Sequence, residues 1–116
     1  MSERDRLYLE EMLGAVGEIA ALVDGQTEDV WIADRVRVAA TSMYLIVLGE
    51  GAMCLSQSLK DTAPTVPWAD MAGMRNRLAH GYFRADRRII WETATSRVPD
   101  LEVTLLGLLE GLGGKG

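Results

Sequence analysis

Apolar side chains recur at helical spacing from the first residues of the chain. Ser2 can cap a first helix, with Asp5 completing a capping box, and the Asp24–Gly25 pair is a typical helix end. Between these signals the apolar residues lie mostly three or four positions apart, at Leu9, Met12, Leu13, Val16, Ile19, Ala20 and Val23. The pattern predicts an amphipathic first helix between Ser2 and Asp24.

The second predicted helix is the most apolar part of the chain. Thr27 can cap it, with Glu28 and Asp29 in its first turn, and the helical pattern continues to about Leu59. Its apolar positions are Ile32, Val36, Ala39, Met43, Ile46 and Val47. Because residues 43–48 are apolar on every side, we expect this helix to lie at the centre of the fold.

Three more helices are predicted after a clear break. The stretch Thr-Ala-Pro-Thr-Val-Pro, which ends at Pro67, is rich in turn-forming residues. Pro67 can occupy the first turn of a third helix that extends to about His80, and Gly81 is a natural stop. A short helix is predicted near residues 86–95. Pro99 can open the last helix, whose apolar stripe is Leu101, Leu105, Leu108, Leu109 and Leu112.

The predicted fold is all-α, an up-down helical bundle of four main helices plus a short fifth helix. No stretch shows the alternating pattern of a half-buried strand. A chain of 116 residues is long enough for one domain with a buried core and too short for two. We therefore expect a single domain over residues 1–112, followed by a flexible glycine-rich tail at residues 113–116.

Composition favours a cytoplasmic protein. The chain has one cysteine, Cys54, which excludes an intrachain disulfide, and no apolar leader follows its first residues. The longest uncharged stretch, Val38 to Gly49, has 12 residues, whereas a membrane-spanning helix needs about 20. We expect no membrane association.

Charge is unevenly distributed along the chain. The net charge of −5 argues against general coating of DNA. Residues 75–88, however, contain five arginines and one acid and carry +4, which leaves −9 for the rest of the chain. An acidic body with one arginine-rich segment predicts a local binding site for an anion.

The arginine-rich segment also contains the only histidine, His80. At about 100° per residue, Asn76 and His80 share a helix face, whereas Arg75 and His80 differ by about 140°. These two meet only if the arginine wraps around the helix or the helix loosens at Gly81. A histidine at a helix C-terminus can also serve only to interact with the helix dipole. A lone histidine cannot build a zinc site, and Cys54 is predicted to be a buried thiol.

The spacing Arg75-x-x-x-x-His80-x-Tyr82 resembles the R-x4-H-x-Y signature of HepT-like toxins, which belong to the HEPN class. Segments similar to other parts of that family lie at residues 45–52, 68–83, 90–92 and 98–101, and Asp86 agrees as well. Met43 and Ile46 depart from the family, because relatives often carry arginine and glutamate there, and Gly51 is inserted before Ala52.

The resemblance implies a metal-independent endoribonuclease without a cofactor, in which the 2′-OH of the RNA attacks the adjacent phosphate. Arg75 and His80 would be catalytic, and Asn76 and Arg77 would support them. Acid and base are two tasks and the chain has one histidine, so a homodimer is part of the expected mechanism. The family also implies a type VII-like toxin–antitoxin system, in which a small nucleotidyltransferase antitoxin attaches AMP to Tyr82.

Other interpretations remain open at this level. A non-catalytic helical dimer that scaffolds a nucleotidyltransferase would need Tyr82 but not His80, and a regulatory nucleotide-binding protein would use the arginines without turnover. Tyr82 can instead be a packing residue. Glu50 can pair with Arg75 or Arg77, or be an ordinary surface acid. The candidates for RNA contact, or else for a solvated face, are Arg84, Arg87 and Arg88.

The tryptophans and several methionines are assigned to packing. We expect Trp31, Trp68 and Trp91 to anchor the core or a dimer interface rather than to stack on bases. Methionine is flexible and fills irregular gaps. The methionines predicted to fill the core in this way are Met43, Met53, Met71 and Met74.

Overall fold

The computed structural model describes residues 2–81 and 85–114, with side chains described as far as residue 111. Within these ranges every regular element is helical, so the predicted all-α class is confirmed. A five-residue π-helical segment, Thr93–Arg97, joins the last two helices. The helices are α1 (Glu3–Val23), α2 (Glu28–Ala33), α3 (Arg35–Cys54), α4 (Gln57–Asp61), α5 (Trp68–Gly81), α6 (Arg87–Glu92) and α7 (Val98–Gly114).

The bundle is formed by the four longest helices, α1, α3, α5 and α7. α3 packs against both α1 and α5, and α7 packs along α1. The buried side chains of these helices form one core, which includes Leu9, Met12, Leu45, Leu48, Leu78 and Leu105. The apolar second helix of the sequence analysis therefore supplies the central helix of the bundle, as predicted.

The single helix predicted from residue 28 to about residue 59 was wrong, because the chain forms α2, α3 and α4 there. At the first boundary, between α2 and α3, Asp34 interrupts the helix. Its backbone is extended, and its carboxylate accepts hydrogen bonds from the amides of Val36 and Arg37, both at 3.1 Å. A side chain that caps α3 in this way competes with continuation of α2. At the second boundary, Ser56 caps α4.

The boundary between α3 and α4 is also tied to α1. Asp5 is only 2% exposed although it is an acid. One of its carboxylate oxygens accepts a hydrogen bond from the amide of Ser56 at 2.8 Å, and the other accepts one from the Ser56 hydroxyl at 2.7 Å. A buried carboxylate without such donors is unfavourable. This pair therefore fixes the place at which α3 gives way to α4.

The short helix predicted near residues 86–95 and the last helix predicted from Pro99 are present as α6 and α7. The π-helical segment joins them without a break. Pro99 has no N–H and cannot donate to the carbonyl four residues before it. The backbone widens just before it, where the amide of Val98 donates to the carbonyl of Thr93, five residues earlier. α7 continues to Gly114, into the predicted tail, while residues 115 and 116 lie outside the described residues.

Trp31 lies in the core, and Trp68 and Trp91 are partly buried against it. Trp31 on α2 is fully buried, and its ring centroid lies 5.3 Å from that of Trp91 on α6. Trp68, at the start of α5, is half-buried and donates a hydrogen bond from its indole nitrogen to the carbonyl of Ala63 at 3.1 Å. All three tryptophans therefore pack within the chain.

One face of α3 carries apolar side chains that no described element covers. Met43 and Met53 were predicted to fill the core, but they are 59% and 48% exposed because this face of α3 points away from its neighbours. Met71 and Met74 do pack against the core. By length and composition alone, α3 could cross a membrane. Its place between α1 and α5 is that of the core helix of a compact globule, and the cytoplasmic location stays a prediction.

Candidate active site

The position of Arg75 is set by a close approach of α5 to α3. A Cβ atom added at Gly49, on α3, would overlap the Cβ of Arg75 and would lie 2.9 Å from the backbone oxygen of Met71. A larger residue at position 49 would therefore push the two helices apart. Glycine at this point brings the backbone of α5 against α3 at the arginine itself.

The guanidinium of Arg75 is held by two side chains. Its Nε donates a hydrogen bond to an oxygen of Glu50 at 2.7 Å, and its Nη2 forms an ion pair with the same oxygen. Its Nη1 donates to the side-chain oxygen of Asn76 at 2.9 Å. The side chains of Arg75 and Glu50 are 25% and 40% exposed, so the pair lies at the edge of the bundle. Of the roles left open for Glu50, the structure shows the pairing with Arg75.

His80 lies near the end of α5, and its side chain is exposed. The helix stays regular as far as Gly81, so the loosening that would bring His80 to Arg75 does not occur within the described residues. Five residues of helix place the two side chains about 140° apart around the axis. Asn76, expected beside His80, has its side-chain oxygen on Arg75 instead. The guanidinium of Arg75 reaches around the helix as far as Asn76, but among the described residues no hydrogen bond joins Arg75 to His80.

Arg77 is exposed and lines a groove of about 800 Å³ between α3, α5, the π-helical segment and the beginning of α7. Its lining includes the apolar side chains of Leu48, Met71, Met74 and Leu101. Asp70 and Arg97 line it as well, so it carries charge of both signs. The groove is a mixed surface rather than a uniformly basic one.

The described arginines of the predicted RNA-binding set lie against α2. Arg87 donates a hydrogen bond from Nη1 to the backbone oxygen of Ile32 at 2.7 Å. Arg88 places its Nη1 3.6 Å from a carboxylate oxygen of Glu28. RNA contact by these two arginines stays a prediction. Tyr82 and Arg84 lie outside the described residues.

The described residues offer few side chains that could bind a metal ion. Over residues 2–81 and 85–111 there is no group of three or more His, Cys, Asp or Glu side chains that could hold a metal ion. Cys54 is half-buried rather than fully buried as predicted. The functional groups at the candidate site are therefore the guanidinium of Arg75, the imidazole of His80, the carboxylate of Glu50 and the amide of Asn76.

Comparison with known proteins identifies the family. A family model described as Ribonuclease HepT-like matches residues 12–106, which is most of the chain. The chain belongs to the HepT-like ribonuclease family. A relative from Caldanaerobacter subterraneus subsp. tengcongensis, named as an RNase, is 33% identical over 105 residues, which cover 90% of this chain and 94% of the relative.

Two archaeal relatives extend this match. A protein from Thermococcus cleftensis, named as a ribonuclease HepT, is 28% identical over 102 residues, covering 88% of this chain and 93% of its own. A second protein, from Methanocaldococcus jannaschii and named as an RNase, is 26% identical over 116 residues, which cover 99% of this chain and 96% of the relative. No solved structure matches the chain.

Gly49 is the site residue of this HepT-like chain that sequence reasoning missed. A glycine in the interior of a helix is unfavourable, but this alone does not single out Gly49, because an added Cβ at Gly14, Gly17 or Gly73 would meet nothing within 4 Å. Gly49 and Gly51 flank Glu50, and a Cβ at Gly51 would overlap the side chain of Met12 on α1. The two glycines let α3 fit closely between α5 and α1, with Glu50 between them in sequence.

Proposed function

We propose that the protein is a metal-independent endoribonuclease toxin of a type VII-like HEPN/nucleotidyltransferase toxin–antitoxin system. The observation that carries the proposal is how Arg75 and His80 are placed on α5 in a chain of the HepT-like family. Arg75 is held in place by Glu50 and Asn76, and an exposed imidazole, that of His80, lies at the end of the same helix. Membership of a ribonuclease family supports RNA as the substrate.

In the proposed reaction, a neutral His80 removes the proton from a ribose 2′-OH. The 2′ oxygen then attacks the adjacent phosphorus, and the bond to the 5′ oxygen breaks. A protonated imidazole donates a proton to that leaving oxygen, so the products are a 2′,3′-cyclic phosphate and a 5′-OH. Acid–base catalysis of this kind typically contributes roughly 10²–10⁴-fold in rate. Arg75 stabilises the charge that develops on the phosphoryl oxygens.

The two proton transfers favour a homodimer. One chain supplies a single histidine, whereas a two-fold dimer brings two copies of each group to one cleft. An exposed apolar stripe on α3 supports this assembly, since Val36, Met43 and Met53 lie on one face and are 79%, 59% and 48% exposed. Glu50, seven residues after Met43, lies on the same stripe, so a second copy seated there would adjoin Arg75.

The partner in the proposed system is a small nucleotidyltransferase antitoxin that transfers AMP to Tyr82. A nucleotide on that hydroxyl would add bulk and a negative phosphate two residues beyond His80. The modification would block the RNA site by occupation and by charge. In the alternative function, the protein is a non-catalytic dimer that scaffolds the nucleotidyltransferase and uses Tyr82 only as the acceptor.

The test is cleavage of RNA by His80→Ala and Arg75→Ala proteins. Both should stay folded, because His80 is exposed and Arg75 lies at the edge of the bundle, and both should lose cleavage. Arg35→Ala, which removes the same charge from an exposed position on α3, should cleave normally. Cleavage should survive chelator and leave 2′,3′-cyclic phosphate ends. Full cleavage by a folded His80→Ala protein would overturn the mechanism, and a wild-type dimer that binds the nucleotidyltransferase without cutting RNA would favour the scaffold.

A further inference from the structure

Arg75 has a partner from outside its own helix that the proposed reaction does not use. Glu50 lies 25 residues before Arg75 and reaches it from α3. A single oxygen of Glu50 contacts both Nε and Nη2 of the guanidinium. Gly49, the residue before it, allows α5 to approach closely enough for this contact. Two successive residues of α3 therefore determine where the backbone and the guanidinium of Arg75 lie.

The contacts leave part of the guanidinium available for an anion. Arginine has five N–H groups and no acceptor. The Glu50 oxygen occupies Nε–H and one N–H of Nη2, and the Asn76 oxygen occupies one N–H of Nη1. When contacts with residues 2–81 and 85–111 are counted, one N–H remains on each terminal nitrogen. Two such donors suit a bidentate contact with the oxygens of a phosphate.

The ion pair between Arg75 and Glu50 lies near the protein surface, where it contributes little to the free energy of folding. The two side chains are 25% and 40% exposed, and ion pairs at the protein surface contribute little to stability because solvent screens them and ordering the side chains is unfavourable. Their geometric effect is larger, since an arginine fixed by two partners loses less freedom when it binds a phosphate. The contact therefore serves orientation more than stability.

We propose that Glu50 is a positioning residue of the RNA-cleavage reaction, which aims Arg75 at the scissile phosphate, and that Gly49 sets the distance between their helices. The inference rests on the proposed ribonuclease function and adds to it a role for α3. Glu50 acts through Arg75 and transfers no proton. Glutamine, which keeps an acceptor oxygen at the same reach, should therefore replace it better than alanine does.

The experiment compares Glu50→Ala and Glu50→Gln with a matched control. Asp34→Asn also neutralises one acid paired with an arginine, since Asp34 lies 3.3 Å from the Nε of Arg37 and is 39% exposed; asparagine keeps its helix cap. Glu50→Ala should lower kcat by roughly 10- to 100-fold with KM unchanged, as expected for an interaction that acts in the transition state. The kcat of Glu50→Gln should lie between those of Glu50→Ala and the wild type, and Asp34→Asn should cleave RNA normally.

A readout that does not depend on cleavage is the exchange of the Arg75 Nε proton with solvent, followed by NMR and assigned by its loss in Arg75→Lys. The proton should exchange slowly in the wild type and fast in Glu50→Ala. Fast exchange in the wild type would overturn the inference, as would normal cleavage by Glu50→Ala or a Glu50→Gln protein as inactive as Glu50→Ala. Failure of the ribonuclease function would be seen separately, as a wild-type protein whose Arg75 Nε proton exchanges slowly but which does not cut RNA.

Discussion

Gly49→Ala should destabilise the protein, although alanine is the better helix former. The added methyl group would overlap the Cβ of Arg75 and lie 2.9 Å from the backbone oxygen of Met71. Backbone atoms cannot move aside without a shift of the whole of α5. Overpacking of this kind costs about 1–3 kcal/mol, while replacing an interior helical glycine by alanine gains roughly 0.5–1 kcal/mol. We expect a net loss of about 1–2 kcal/mol in the free energy of unfolding.

The matched control is Gly17→Ala, inside α1, where an added Cβ meets nothing within 4 Å. This variant should gain roughly 0.5–1 kcal/mol. Urea unfolding followed by tryptophan fluorescence compares the two at equal protein concentration, because a dimer's stability depends on concentration. The two variants should differ by about 1.5–3 kcal/mol. A Gly49→Ala protein as stable as Gly17→Ala would refute the close approach of α5 to α3.

Two further changes test other parts of the molecule. Asp5→Ala should lower the free energy of unfolding by about 2–3 kcal/mol, because two donors of Ser56 lose charged acceptors; Glu3→Ala, an exposed acid of the same first turn, should cost less than about 1 kcal/mol, and equal urea midpoints would contradict this. Tyr82→Phe should cut RNA normally but escape AMP transfer by a partner nucleotidyltransferase, measured by intact mass. AMP on the same peptide of Tyr82→Phe would place the acceptor elsewhere, and loss of cleavage would make the hydroxyl catalytic.

Local signals predicted the main helices, but not where the central one is divided. α1 and α5 follow from capping residues, prolines and apolar stripes, which lie within a few positions of each other. The break at Ser56 depends on Asp5, which is 51 residues away, so no short stretch of sequence contains both partners. Pro99 was interpreted as a helix start. α7 does begin beside it, at Val98, but the sequence did not show that a π-helical segment would join α7 to α6 without a break.

The candidate site could also be predicted only in part from the sequence. The segment around Arg75 and His80 could be identified from its residue types, its charge and its resemblance to a family. The partner of Arg75 could not be chosen, because Glu50 lies 25 residues away and the helical pattern does not show how two helices pack. Gly49 is unfavourable in a helix, but so is Gly17, which meets no neighbour, and only the structure shows that α5 packs closely against Gly49.

The charge of the arginine-rich segment is also distributed differently in space than along the chain. In the part that the structure describes, Arg75 and Arg88 each lie beside a glutamate, and Arg87 binds a backbone oxygen at the end of α2. The count of +4 for residues 75–88 therefore overstates the positive charge that one chain presents to RNA. In the proposed dimer, a second chain would add its own Arg75 and His80 to the cleft. The same assembly would then supply both the second proton-transfer group and a second set of guanidinium N–H donors for the phosphate, with each Arg75 still paired with the Glu50 of its own chain.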